Sequence, residues 1–211
     1  MNRKIKALGL ALVAAFAMSA VMASAASAIE FHAGEAHTII SGSQTGNHTF
    51  TVGSGFGAIT CKVAKFSGTT EKTTETSQVI TPEYKECTDS FGRKVDVTVS
   101  AKYRFTAPAA ATGSAEVHVE GSFKIEVTNS SSVVICTVTV GSQTNNNIVY
   151  HNIANGDVEV TTTTNNVTTE TSGGTLNCGV ANGHHTGGSY TGNTIIAGTS
   201  TAGANVNITV S

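Results

Sequence analysis

Val95-Asp96-Val97-Thr98-Val99-Ser100-Ala101-Lys102-Tyr103-Arg104-Phe105 carries the cleanest two-residue alternation in the chain. Side chains along an extended backbone point to opposite faces in turn. Val95, Val97, Val99, Ala101, Tyr103 and Phe105 therefore share one side, and Asp96, Thr98, Ser100, Lys102 and Arg104 the other. That is the signature of an antiparallel strand with one buried and one wet face. The same alternation recurs in Asn47–Val52, Ala115–Val119, Ser122–Val127, Val133–Val140 and Asp157–Thr164. No helical period shows beyond the N-terminal apolar run, and no short fixed repeat suggests a solenoid. Many short strands joined by glycine and asparagine turns predict an all-β protein, an antiparallel β-sandwich or a barrel-like sheet.

The turns divide the chain. Gly53–Gly57 and Asp89–Gly92 read as tight connections, and Asn155-Gly156 is a hairpin signal. Gly141–Asn147 reads as a polar turn before a short strand, Ile148–Ile153. Asn165-Asn166 reads as another turn, which makes Thr161–Thr171 an exposed, threonine-faced hairpin. Thr106–Ser114, with Pro108 and Gly113, is the best hinge. It separates two similar β halves, residues 29–106 and 115–211, that stand apart or merge into one continuous domain. Each half carries a cysteine stretch. Gly57–Ala64 contains Cys61, and its partial echo, Gly174–Ala181, contains Cys178; both read as short strands.

Met1–Ala28 has the three parts of a secretory signal peptide. Arg3, Lys4 and Lys6 are basic, Ala7–Ala20 is apolar, and Ala26-Ser27-Ala28 is a cleavage site that would leave Ile29 first. The apolar core is shorter than the ~20 residues of a spanning helix, so no integral membrane segment is expected after cleavage. The end of the chain, Ala204–Ser211, shows neither a hydrophobic tail nor a basic stop, which argues against an anchor there. Once Arg3, Lys4 and Lys6 are removed from the 12 basic residues, nine face 14 acidic ones, a balance near −5. No Lys or Arg follows Lys124. Nucleic acid, which demands clustered positive charge, is not an expected partner. The four cysteines, Cys61, Cys87, Cys136 and Cys178, form an even set in an exported chain and read as two disulfides. Three pairings are possible; Cys61–Cys87 with Cys136–Cys178 is preferred because each bond then staples one half. A Cys₄ zinc site is disfavoured, since no C-x-x-C pair is present.

Catalytic motifs are thin. Gly187-Gly188-Ser189-Tyr190-Thr191 approaches G-x-S-x-G but lacks its last glycine and the helix that the motif requires. His184 and His185 are adjacent, so in an extended segment they diverge rather than share a metal. No cofactor motif is complete. Glu116, Glu120, Asp157 and Glu159 are the acids a polysaccharide hydrolase would use, but i, i+2 acids are also what any solvated strand face displays. For glycan binding, Tyr150 and Tyr190 are the best exposed aromatic platforms, with Thr161 and Thr163 as hydrogen-bonding neighbours.

Phe31–Thr38, Thr60–Thr69, Pro82–Cys87 and Ser189-Tyr190-Thr191-Gly192, together with the signal peptide, resemble a group of uncharacterised secreted β-proteins of soil actinobacteria. The resemblance implies export and brings no activity, cofactor or site with it. Relatives in that group often carry a further cysteine pair in the middle of the chain, which this chain lacks between Cys87 and Cys136. The expectation is a secreted, non-enzymatic, disulfide-stapled β-protein of the envelope or extracellular space, with a polysaccharide or protein partner. A secreted polysaccharide hydrolase is the alternative. An ice- or surface-binding protein would need a regular Thr-x-Thr array, of which Thr49/Thr51, Thr137/Thr139 and Thr161/Thr163 are fragments.

Overall fold

The computed structural model describes residues 29–53, 55, 57–109 and 114–211. The expected signal peptide, residues 110–113 of the expected hinge and two residues of the 53–57 turn lie outside the described residues. The strands are β1 (Phe31–Ala33), β2 (Ile39–Gln44), β3 (His48–Thr51), β4 (Ile59–Thr69), β5 (Thr74–Glu75), β6 (Ser77–Asp89) and β7 (Lys94–Thr106). They continue with β8 (Ala115–Thr128), β9 (Val134–Val140), β10 (Gln143–Ile153), β11 (Asp157–Ser172), β12 (Gly183–Thr199), β13 (Asn205–Val206) and β14 (Ile208–Val210). One helical turn, α1 (Thr175–Cys178), follows β11. Cys178 therefore sits on a helical turn, not on the short strand its sequence suggests.

Most of these strands close an eight-stranded antiparallel barrel. The strands follow one another around it in chain order, an up-and-down path. Two positions are each filled by a pair of collinear strands. β2 and β3 together span the gap between β4 and β12. β9 and β10 together span the gap between β8 and β11. Closure comes from β12, which pairs with β11 on one side and with β2 and β3 on the other. Strands from 29–106 and 115–211 thus share one continuous sheet.

The alternation seen in the sequence becomes an inside and an outside. Val95, Ala101, Val117, Val119, Phe123, Ile125 and Val127 are buried, while Lys94, Asp96, Lys102, Glu120 and Lys124 are exposed. A membrane-spanning barrel has the opposite arrangement, apolar outside and polar inside. No helix among the described residues is long and apolar enough to cross a membrane.

Two asparagine-rich stretches differ from their sequence reading. Gln143–Ile153 is one strand rather than a turn followed by a strand. Asp157–Ser172 is likewise one 16-residue strand, not a hairpin. In each an asparagine in the left-handed region, Asn147 (φ 66°) or Asn166 (φ 61°), forms a bulge where the pairing register shifts. Asparagine tolerates that conformation far better than a branched residue does. The bulge reverses which positions face inward. Val158, Val160 and Thr164 are buried before Asn166, and Val167, Thr169 and Thr171 after it. Both asparagines of the Asn165-Asn166 pair stay exposed.

Across one barrel end lies a small sheet in the order β14-β1-β5. The N–H of Glu30 donates to the Ser211 carbonyl at 2.9 Å, and the Ser211 N–H returns a bond to the Glu30 carbonyl at 3.1 Å. The Asn152 side chain bonds the Val210 backbone twice, at 2.9 Å each, and so ties this lid to β10. The disulfides are Cys61–Cys87, joining β4 to β6, and Cys136–Cys178, joining β9 to α1. This is the preferred pairing. The loops they close, 26 and 42 residues apart in sequence, give each bond about 3–4 kcal/mol by chain entropy.

The bulge has a direct test. Asn166→Val, which forces a branched side chain into that positive φ, should lower stability by about 1–3 kcal/mol. Asn166→Gly, which suits a positive φ, should lose less than about 1 kcal/mol. Urea denaturation of the two variants separates these outcomes.

Candidate ligand cavity inside the barrel

The barrel is not filled. It encloses a cavity of about 170 Å³ whose wall is mostly apolar, with Phe50, Phe66, Val97, Phe123, Ile148 and Val160 among the lining residues. His32, Lys72 and Glu75 also line it, at the lid end. Glu75, on β5, is the one carboxylate of the wall among the described residues. Its Oε1 accepts bonds from the N–H groups of Glu71 and Lys72 at 2.8 and 3.1 Å. It is thereby tied to the loop that precedes β5.

Inward alternation brings four polar side chains together in this space. His48 comes from β3, Tyr84 from β6, Tyr103 from β7 and Tyr190 from β12. The Tyr84 hydroxyl lies 3.0 Å from that of Tyr103 and 2.8 Å from that of Tyr190. Tyr190 in turn bonds His48 Nδ1. His48 Nε2 lies 3.3 Å from both the Asn193 carbonyl and the Thr194 hydroxyl. The result is one hydrogen-bonded line, Tyr103–Tyr84–Tyr190–His48, through an apolar interior. Aromatic rings brace it: Tyr84 meets Phe66 and Phe123 edge-on at 6.1 and 6.3 Å between centroids, and Tyr103 meets Phe123 in a tilted arrangement at 5.4 Å. Gly192 makes room for the imidazole, because a β-carbon there would stand 2.4 Å from His48 Nδ1.

Burial dominates the titration of these groups. Desolvation lowers the pKa of His48, against a smaller opposing effect of its bond to the Asn193 carbonyl. Desolvation raises the phenols of Tyr84, Tyr103, Tyr150 and Tyr190. Tyr103, Tyr150 and Tyr190 keep some accessible area, and that area is cavity wall. At neutral pH the line is uncharged from end to end.

Tyr150 and Tyr190 are therefore not exposed platforms; both face the barrel interior. The bulge at Asn147 sets Tyr150 on the inward side of β10. There its hydroxyl donates to the Thr106 carbonyl at 3.3 Å, and its ring meets Phe31 of the lid edge-on at 5.4 Å. Thr161 and Thr163 lie on the outer side of β11, while the alternate pair, Thr162 and Thr164, lines the cavity. Thr163 begins an outward row that runs across neighbouring strands as Thr163, Thr191, Thr49, Thr60 and Thr88.

The four candidate acids stay apart from the cavity. Glu120 is bound by Arg104 at 2.7 Å on the outer face, and that bond holds its carboxyl below the usual range. Glu116 lies 3.9 Å from His118, also outside. Asp157 and Glu159 occupy outward positions of β11. His184 bonds Glu170 at 3.0 Å, and His185 bonds the Thr171 hydroxyl at 2.9 Å. Among the described residues, no group of three or more His, Cys, Asp or Glu side chains is placed to hold a metal ion.

The sequence reading missed His48, Tyr84 and Tyr103 as site residues. A local signal existed for His48 and Tyr103: each sits on the apolar side of its alternation, His48 beside Phe50 and Tyr103 between Ala101 and Phe105. Their convergence has no local signal, since His48 and Tyr190 are 142 residues apart. No family model, curated protein or solved structure matches the chain.

All four tyrosines of the chain lie in this interior, and there is no Trp. An ultraviolet titration should thus show no phenolate near pH 10, and ionisation should appear only with unfolding. The raised phenols stabilise the fold below about pH 10, and this contribution is lost as pH rises further, because the unfolded chain then ionises while the folded one does not. The lowered His48 works in the other direction. Its effect appears below about pH 6.5, where the unfolded chain takes up the proton first, so stability falls on acidification. His48→Gln should flatten that acid limb in denaturant midpoints measured from pH 5 to 7.

Proposed function

We propose that this chain is a secreted, non-enzymatic binding protein that carries a small, largely apolar molecule inside its barrel. The observation behind this reading is the closed sheet around an apolar space of about 170 Å³ with converging phenols. An eight-stranded barrel is just wide enough to hold one small ligand. An engineered apolar cavity of about 150 Å³ takes up benzene, so the space suits a single ring with a short substituent. Pockets of this kind, apolar with a few placed polar groups, are where small molecules bind.

Two disulfides support an oxidising location outside the cytoplasm. The N-terminal pattern of Met1–Ala28 points the same way. The outer threonine row favours a second reading, contact with an envelope polysaccharide through hydroxyl groups. Co-sedimentation with insoluble polysaccharides, with Thr163→Lys and Thr49→Lys as controls, tests that reading.

The first reading predicts saturable, one-to-one uptake of methylcyclohexane or toluene by the purified oxidised protein, followed by calorimetry and tyrosine fluorescence. Val97→Phe should fill part of the space and weaken uptake at least tenfold while the protein stays folded. Phe31→Ala should loosen the lid and speed exchange without abolishing binding. Absence of uptake by the folded wild-type protein would overturn the reading.

A further inference from the structure

The hydrogen-bonded line in the cavity has one closed end and one open end. At the closed end His48 Nε2 has two partners at equal distance, a carbonyl that only accepts (Asn193) and a hydroxyl that can donate (Thr194). Tyr190 and Tyr84 each lie between two partners in the line. The hydroxyl of Tyr103 has a single hydrogen-bond partner among the described residues, Tyr84, and the residue lines the cavity.

A hydroxyl has one proton to give and lone pairs to receive. The line can therefore run in either of two directions. In the first, His48 Nε2–H donates to the Asn193 carbonyl, and Tyr103, Tyr84 and Tyr190 donate successively toward His48 Nδ1. Tyr103 then presents an open acceptor to the cavity. In the second, the Thr194 hydroxyl donates to Nε2 and His48 Nδ1–H donates to Tyr190. Tyr190 donates to Tyr84, and Tyr84 to Tyr103, which leaves the Tyr103 proton aimed at the cavity. Switching between them requires only a change of histidine tautomer and rotation of hydroxyl protons. In both arrangements His48, Tyr190 and Tyr84 are bonded at each end and the outer side of Tyr103 stays open; in the first, the Thr194 hydroxyl proton has no acceptor in the line.

We infer that the Tyr103 hydroxyl is the ligand-reading end of a reversible hydrogen-bond line, and that the ligand is a neutral apolar molecule bearing one hydroxyl or carbonyl oxygen. This rests on the cavity reading above and gives it a chemical class. A hydroxyl on the ligand is met by the first direction, and a ketone or aldehyde oxygen by the second. A charge placed at Tyr103 is rejected, because the wall around the line offers no opposite charge, Lys72 and Glu75 standing at the lid end, and the interior strongly desolvates what it holds. The same desolvation keeps His48 and the phenols neutral.

The test compares four saturated rings of similar size, none of which absorbs in the tyrosine band: methylcyclohexane, cyclohexanol, cyclohexanone and cyclohexanecarboxylate at pH 7. Methylcyclohexane should bind, and both cyclohexanol and cyclohexanone should bind about tenfold more tightly, the value of one net buried hydrogen bond. The carboxylate should not bind measurably. Tyr103→Phe should abolish the tenfold gain for both oxygenated rings while leaving methylcyclohexane binding in place, which also shows that the variant has folded. Tyr150→Phe, whose hydroxyl is committed to the Thr106 carbonyl, should leave the gain intact. If no ring binds, the cavity reading itself fails. If methylcyclohexane binds but the oxygenated rings gain nothing, or keep their gain in Tyr103→Phe, the inference about Tyr103 is overturned. A gain for only one of the two oxygenated rings would show a line of fixed direction and would overturn its reversibility.

Discussion

The closing seam along β12 is the constraint on which the rest depends. Gly183–Thr199 pairs with β11 on one side and with β2 and β3 on the other. Without that seam the sheet would have two edges and an apolar face open to water. With it, backbone donors and acceptors are satisfied around a ring, and the alternate side chains are divided between an interior and a surface. Close approach at the seam explains its glycines. At Gly188 a β-carbon would stand 2.7 and 2.8 Å from the carbonyl oxygens of Val167 and Thr51, and at Gly198 it would stand 2.5 Å from that of Val206. Only glycine lets backbones and the His48 ring approach so closely.

The interior also depends on where alternation is interrupted. A strand of 16 residues with strict alternation would present the same parity throughout. β11 does not, because Asn166 adds one residue to the strand and restores an inward face on the other parity. β10 does the same at Asn147, and there the consequence falls on the cavity: Tyr150 turns inward to meet Phe31 of the lid. On the page these asparagine pairs look like turns. In the barrel they keep two long strands in contact with one core across a shift of pairing register, which is the usual work of a bulge.

Polar groups in such an interior are tolerated only when they are bonded to one another. The three phenols and His48 meet that condition almost completely, and their mutual bonds let the protein keep hydroxyls inside a space that would otherwise be apolar throughout. The arrangement sets the character of the cavity. Around the line the wall is neutral and offers directional contact, most of the rest is apolar, and the charged side chains of Lys72 and Glu75 border the lid end. The acids and bases of the chain sit mostly on the outer face, paired as in Arg104–Glu120 and Lys94–Asp96. They stand on the solvated face, away from the cavity.

Much of the fold was legible from the chain alone. The alternation in Val95–Phe105 is local, so it was enough to name an antiparallel sheet and to say which side of β7 is wet. The pairing of Cys61 with Cys87 and of Cys136 with Cys178 followed from placing one staple in each half. The site was not legible in the same way. Tyr190 and Tyr150 looked like exposed platforms, and Thr161 and Thr163 like their neighbours, because nothing local reveals a parity reversal or the curvature that closes a sheet. His48, Tyr84, Tyr103 and Tyr190 meet only because the registers of β3, β6, β7 and β12 place them at one level of a closed ring. Register and closure are relations between distant strands. Side-chain alternation is a property of one strand, and this is why the chain alone could show the class of fold while the folded barrel had to show the cavity.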